Sequence, residues 1–395
     1  MKKIKYLILL LPLLSGCYNY RELNELGITT AVSIDYQDNN FQITAEVVNP
    51  IKQQDASSSN NSPFVIYNSS ASTLQEAFRK VVLESPRQLY AAQLEIIILS
   101  EEIVDNHLEE VLEYFSRSPE TRTEIKIIVA QTEESIKSIT LQSLLTSFSS
   151  SNILKSLELQ NKVLGVSYPV TLNELLNMYI NPHLEITLPS IILYGDPDIG
   201  DEKENITTSS PKAKIKISGT TITKDNKILG YLTEEDSKIV SLINSKAKEF
   251  IIKIPYKNEE EYIVFEPNRI KVEQKATPKN NKVKLKISGY VKTKEINASI
   301  NIKDYKEVEE LENYFNKELE KQIIKTFTNI RDNYNTDIFG FQELYYRTDY
   351  QYFKKYCHNW YQDIYPHLEL EVESNIKLYE KGNTLGGLNY ERKNK

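Results

Sequence analysis

Cys17, closing the run Leu14-Ser15-Gly16-Cys17, is the residue whose type and position most directly specify chemistry. Lys2, Lys3 and Lys5 form a positive n-region, Tyr6 through Leu14 form a short apolar h-region, and small residues then lead into the cysteine. That order is the grammar of an export signal, and the apolar stretch is too short to span a bilayer. A small pair before a cysteine is also the pattern of a lipobox. In that chemistry the thiol receives a diacylglyceryl group, and cleavage leaves the cysteine as a new N-terminus that takes an N-palmitoyl chain. Buried acyl chains contribute about 0.8 kcal/mol per methylene, so dual acylation anchors a domain stably where one chain does not. The competing reading is a secreted chain with a coincidental cysteine near the cleavage position. Either reading places the mature protein outside the cytoplasmic membrane.

Other chemistry is sparse. There is no Gly-x-Ser-x-Gly elbow, P-loop, dinucleotide glycine fingerprint or His-Glu-x-x-His helix, and nothing that calls for a cofactor. His107, His183, His358 and His367 lie far apart without ligand spacing, so no metal site is expected. Cys357-His358 is the one pair that could suggest a nucleophile, but neighbours in a helix point different ways, and an inert role is the simpler reading. With Cys17 committed to lipid, Cys357 has no intramolecular disulfide partner. The formal charge of −7 includes the three signal lysines, and an acidic chain is not built to bind nucleic acid. No catalytic set is expected, and the chain reads as a non-enzyme.

The elements that must position any site alternate in the first half. Ile28–Asp35 and Phe41–Val48 read as paired strands, Phe64–Tyr67 as another, with the polar loop Gln53–Ser62 between. A helix near Ser72–Glu84, a buried strand Leu94–Leu99, a helix Leu108–Ser116 and a strand Glu124–Ala130 follow. From Glu133 to Tyr179 the pattern is helical, broken around Gly165–Val170. The stretch Gly195–Pro211, rich in Asp, Gly, Pro, Ser and Asn, reads as a boundary. The second half opens on alternating Lys212, Lys214 and Lys216, and the design recurs at Lys282–Gly289. Both read as half-exposed strands of one largely antiparallel sheet. Glu369, Glu371 and Glu373 alternate in a strand of opposite charge, which predicts pairing with lysines rather than a lipid-binding face. Val308, Leu311, Phe315, Leu319, Ile323, Phe327, Ile330 and Tyr334 step by three or four and predict a long helix, with Asp304 and Glu307 as a capping box. Phe353, Tyr356, Trp360 and Ile364 predict an aromatic core helix, and Asp337 a helix cap with Gly340 at a tight turn.

The fold class is therefore α+β and multidomain: signal 1–16, an N-terminal mixed α/β domain with a helical subregion at 17–195, a linker at 196–211, and a C-terminal domain at 212–395. The last is read as a largely antiparallel sheet packed by one long helix.

These pieces, in this order, resemble the GerC family of spore germination lipoproteins, the C subunits of endospore germinant receptors. After the cysteine, Tyr18 through Gly27 is similar to the family's Cys-Trp-Asp-x-x-Glu-Leu opening, with Tyr18 standing where Trp is usual. Ser85–Tyr90, Arg117–Arg122, Leu229–Leu232 and Asp337–Gly340 with Trp360 beyond are similar to further family blocks. The resemblance implies a noncatalytic subunit on the outer face of the cytoplasmic (inner spore) membrane, assembled with a large A subunit and a polytopic B subunit. Glu22, Leu23 and Leu26 are the candidate partner-contact residues; the alternative is that they pack under the first domain. Two other classes share the export signal. A lipid-anchored solute-binding protein would need two parallel α/β lobes, and a cell-wall hydrolase would need a poised carboxylate or metal set.

Overall fold

The computed structural model describes residues 22–50 and 62–380, apart from positions 144, 203, 248, 249, 257 and 303. The signal, Cys17 and nearly all of the Gln53–Ser62 loop lie outside the described residues.

A ten-stranded sheet has the order β10-β9-β8-β6-β5-β1-β2-β3, with β4 paired to β1 and β7 to β6. Its strands are β1 (Leu26–Gln37), β2 (Asn40–Val48), β3 (Phe64–Ala71), β4 (Gln88–Tyr90), β5 (Ile96–Leu99), β6 (Lys126–Ala130), β7 (Val170–Thr171), β8 (Pro189–Tyr194), β9 (Lys214–Lys224) and β10 (Lys227–Tyr231). β1, β5, β6 and β8 run parallel at its centre, flanked by antiparallel strands. That is why Ile96–Leu99 is apolar and buried at every position: helices cover the parallel strands on both sides. The helices of this half are α1 (Leu74–Lys80), α2 (Glu101–Asn106), α3 (Leu108–Arg117), α4 (Ser149–Val163) and α5 (Leu172–Ile180). Thr73 caps α1, its hydroxyl accepting from the Glu76 amide. The segment 133–179 is less uniformly helical than its pattern suggests, since a short 3-10 turn at Glu134–Thr140 and β7 interrupt it.

The second sheet has the order β11-β12-β13-β14, formed by β11 (Ile252–Tyr256), β12 (Asn258–Thr277), β13 (Lys282–Asn297) and β14 (Glu369–Glu380). Its first two pairings are antiparallel and the last is parallel. The lysine and glutamate strands face one another as the alternation predicts. Lys282, Lys284 and Lys286 register with Glu369, Glu371 and Glu373, and Lys284 lies 2.7 Å and 2.8 Å from the carboxylates of Glu371 and Glu373. Helix α6 (Glu234–Ile243) leads into this sheet and α7 (Tyr305–Tyr334) crosses it, about 45 Å long at its 30 residues. Val308, Leu311, Phe315, Leu319, Ile323, Phe327 and Ile330 of α7 are all buried in one core with Val283, Leu285 and Ile287. Asp304 caps α7 through the amides of Lys306 and Glu307, while the Glu307 carboxylate turns back to the Asn301 amide.

Two expectations need correction. The two lysine strands belong to different sheets. In β9, Ile215 and Ile217 pack with Ile96, Ile98, Ile128 and Ile191 of the first sheet, and β9 pairs with β8. Period-2 alternation tells which face of a strand is buried but not which strand lies beside it. The polar stretch 196–211 carries local order. Asp196 caps the helical turn Pro197–Gly200, and the buried Asn205 amide exchanges two hydrogen bonds with the backbone of Ala213. The aromatic helix is broken too. Helices α8 (Phe341–Thr348) and α9 (Tyr350–Tyr356) end before a π-turn at Trp360–Ile364, so Phe353 and Trp360 are core while Tyr356 is exposed.

Candidate functional site

The chain enters the described structure at Glu22, five positions after Cys17. Leu23–Glu25 form a single 3-10 turn closed by a reciprocal box. The Glu22 amide donates to the Glu25 carboxylate at 3.4 Å, and Asn24 Nδ2 donates to the Glu22 carboxylate at 3.1 Å. The three candidate contact residues separate here. Glu22 is exposed and Leu23 is 70% exposed, whereas Leu26 is buried at the start of β1 beside Gln88 of β4. Leu26 is therefore part of the sheet and not of a surface. Gly27 lets this edge close: a Cβ there would meet Val47 at 3.3 Å and Arg87 at 3.6 Å. The Arg87 guanidinium also donates to the Leu26 carbonyl at 3.4 Å.

Sequence reasoning missed the neighbours of this entry. Val82 and Leu83 were read as the tail of one helix, yet α1 stops at Lys80 and a 3-10 turn, Val81–Leu83, throws both outward, 51% and 80% exposed. Three consecutive apolar residues at the end of an amphipathic helix were the signal, because only Val81 can face the core at helical spacing.

A second constellation sits where the two sheets meet. The fully buried Asp337 follows α7, and one carboxylate oxygen accepts from the Gln342 amide at 2.6 Å while the other has no partner in hydrogen-bonding geometry. Burial pushes its carboxyl up to about 7, with the amides of Gln342, Phe341 and Phe339 opposing that rise. Gly340, at φ +74°, makes the turn that aims these amides inward. Around it, Tyr361 donates to Glu185 at 2.5 Å, Lys224 lies 4.6 Å from the Tyr361 ring, and Thr336 Oγ1 donates to the Thr223 carbonyl at 2.5 Å. Burial also raises the Glu185 carboxyl. Residues 185, 223 and 224 belong to the first sheet or its approach, and 336, 337 and 361 follow α7, so this polar knot ties one sheet to the other. Asp337 does cap the following helix as expected, but as a buried group whose carboxyl is held well above the usual carboxylate range by burial.

Nothing poised for catalysis gathers at Cys357-His358. Cys357 is buried, burial raises its thiol above the ordinary range, and its neighbours are those of the α7 core. A raised thiol is less nucleophilic at neutral pH. Among the described residues no group of three His, Cys, Asp or Glu side chains could hold a metal ion, and no helix is long and apolar enough to cross a membrane.

A mixed sheet joined through a buried polar knot to a smaller, helix-crossed sheet defines a two-part α+β protein. Residues 19–193 match the family model of the spore germination protein N-terminal domain, and residues 218–382 match that of the spore germination B3/GerAC-like C-terminal region. The chain belongs to this family, the GerC family of spore germination proteins. It is 22% identical to spore germination protein KC of Bacillus subtilis (strain 168) over 387 residues, covering 95% of this chain and 94% of that one. It is 23% identical to spore germination protein B3 of the same organism, covering 85% and 86%. Among solved structures it is similar to that of the GerBC protein, with a TM-score of 0.50 and 17% identity over 88% of this chain and 96% of that one. That likeness shows a shared fold.

Proposed function

We propose that this protein is the noncatalytic C subunit of a nutrient germinant receptor. In this reading Cys17 carries S-diacylglycerol and N-palmitoyl groups and holds the chain on the outer face of the inner spore membrane. There it assembles with membrane A and B subunits and so takes part in nutrient-triggered germination. The observation that carries it is the end-to-end match to spore germination proteins, by two family models and by relatives covered over nearly their whole length. Only five positions separate Cys17 from Glu22, so an acyl anchor on Cys17 would hold the first described turn close to the bilayer. The names of the relatives speak of germination, and none speaks of an enzymatic reaction. A solute-binding protein is disfavoured because the second half is built on a four-stranded, mainly antiparallel sheet under one helix, not on a second parallel α/β lobe.

Two measurements test the reading. Pull-down of the chain from detergent-solubilised spore membranes should bring a polytopic transporter-like protein and a second large membrane protein; recovery of an ABC-type permease instead would favour the solute binder. Cys17→Ala should abolish stable tethering in membrane fractionation, since no other attachment is found in the sequence. Salt-resistant association of that variant would show another anchor or a tight integral partner.

A further inference from the structure

We infer that the turn Leu23–Glu25 and the turn Val81–Leu83 form a bilayer-facing apolar tip, with Leu23, Val82 and Leu83 seated in the lipid interface. β1 and β4 pair in parallel, Leu26 against Gln88, so the chain entering each strand lies at the same end of the sheet. The turn of Leu23 enters β1, and Val82 and Leu83 precede β4 by a few residues. The buried Ser85, bonded back to the Val81 carbonyl and through its hydroxyl to the Arg87 carbonyl, fixes that second turn against the strand entry. All three apolar side chains are more than half exposed there, and they are grouped at the entries of two paired strands, an arrangement of the kind that marks a contact surface.

The occupant follows from the tether. The inference rests on the reading that Cys17 is acylated. From Cys17 to Glu22 is five residues, at most about 18 Å of fully extended chain. The face from which that chain departs must therefore stay against the membrane, and it is the face that carries these side chains. Arg79 and Lys80 border the same open hollow as Val82 and Leu83, a position suited to lipid phosphates. Glu22, Glu25, Glu76 and Glu84 offset them nearby, so the contact is carried by apolar insertion and not by net charge.

The test uses the acylated full chain reconstituted into phosphatidylcholine vesicles whose acyl chains carry bromine, a contact quencher of indole. Leu83→Trp and Leu23→Trp report the tip. Tyr194→Trp reports the opposite end of the same sheet, because β8 is the last of the parallel strands and Tyr194 its final residue. The native Trp360 is buried and gives the same background in every variant. The proposal expects loss of the added fluorescence at positions 83 and 23, none at 194, and little change in high salt. If the vesicles float with the protein but neither tip position is quenched, the anchor reading stands and the tip is overturned, leaving that face to a partner subunit. If the chain does not float, the anchor reading fails and the tip falls with it. Quenching at 194 equal to that at 83 would also overturn it, since the molecule would then have no fixed orientation.

Discussion

The side-chain amide of Asn316 pairs with the backbone of Ile376 on both sides, donating to its carbonyl at 3.0 Å and accepting from its N–H at 2.9 Å. A helix side chain thus stands where the next strand of the sheet would be. It is one of three. Glu320 accepts from the Ser374 amide at 2.7 Å, and Glu312 accepts from the Leu378 amide at 2.8 Å while pairing with Lys377 at 2.9 Å. The spacing works because four helical residues rise about 6 Å and two strand residues about 6.6 Å. Positions 312, 316 and 320 of α7 therefore keep step with 378, 376 and 374 of β14. The β14 edge of the second sheet is closed by its own helix, which guards that edge against pairing with another chain.

Asn316→Leu should accordingly cost about 1–3 kcal/mol, the penalty of leaving a buried backbone N–H and carbonyl without partners. Urea unfolding followed by circular dichroism reads this as a lower midpoint with an unchanged slope. An unchanged midpoint would mean that the edge rearranges around the apolar side chain. Replacing Glu312, Asn316 and Glu320 together should add concentration-dependent aggregation, measured by light scattering, because the whole edge is then open.

Asp337 makes the stability of the chain pH-dependent in an unusual direction. Its folded carboxyl sits at about 7, above the ordinary 3.8, because of burial. Between those values the folded protein holds a proton that the unfolded chain has released. Stability contributed by this group is thus greatest below about pH 4 and falls as pH rises toward 7. At about 1.4 kcal/mol per pKa unit the effect across the window is a few kcal/mol. Asp337→Asn keeps an acceptor for the Gln342 amide and removes the ionisable group, so its stability should change less than wild type between pH 5 and 7. Thermal melting at a series of pH values compares the two slopes, and parallel profiles would show that Asp337 is ionised in the fold throughout.

How far the sequence announced this architecture depends on the range of the signal. The α7 core, its Asp304 cap and the lysine–glutamate register were legible because each is a periodic pattern within one element or between complementary strands. The placement of β9 was not, since its alternation fits either sheet and only the packing of Ile215 and Ile217 decides. The buried Glu46 was invisible for a related reason. It reads as an ordinary strand residue, yet its carboxylate accepts from the Ser149 amide at 2.7 Å and from the Ser150 amide, capping α4 from about a hundred residues away. At the candidate site, Glu22 and Leu23 are proposed from residue order alone, while the outward turn of Val82 and Leu83 required knowing where α1 stops. Cys17 was fully legible as a motif and lies outside the described residues.

Cys357→Ser and His358→Ala test for hidden chemistry at the one suggestive pair. Cys357 is buried in the aromatic core and its thiol is raised, so the serine variant should lose some stability through a hydroxyl in an apolar site and keep its role in germination. His358 is exposed, and its replacement should change stability little. Germination of spores carrying each variant, alongside the protein's abundance in spore membranes, separates folding from function. A well-folded, normally abundant His358→Ala protein that blocks germination would reverse the noncatalytic reading.

The partner contact is best tested where the structure leaves side chains free. Glu22 and Leu23 are exposed, and Gln at 22 keeps a side-chain acceptor in the turn's capping box, so changing them should not unsettle β1, whereas Leu26 is a buried sheet residue whose loss would confuse misfolding with lost contact. Glu22→Gln with Leu23→Ser, keeping Cys17 and chain length, should leave the thermal midpoint within a degree or two, as expected for substitutions at exposed positions. If this turn meets the A or B subunit, the variant will remain folded and acylated but fail to copurify with them from spore membranes. A variant that assembles and supports germination like wild type would move the contact to the second sheet or to the knot around Asp337. Adding Leu26→Ala to the pair serves as the control for burial, since it should lower the unfolding free energy by the roughly 2–5 kcal/mol of a truncated core leucine, and the midpoint with it, whatever the partner does. Loss of copurification in the double variant without that loss of stability is the result that would assign the turn to assembly.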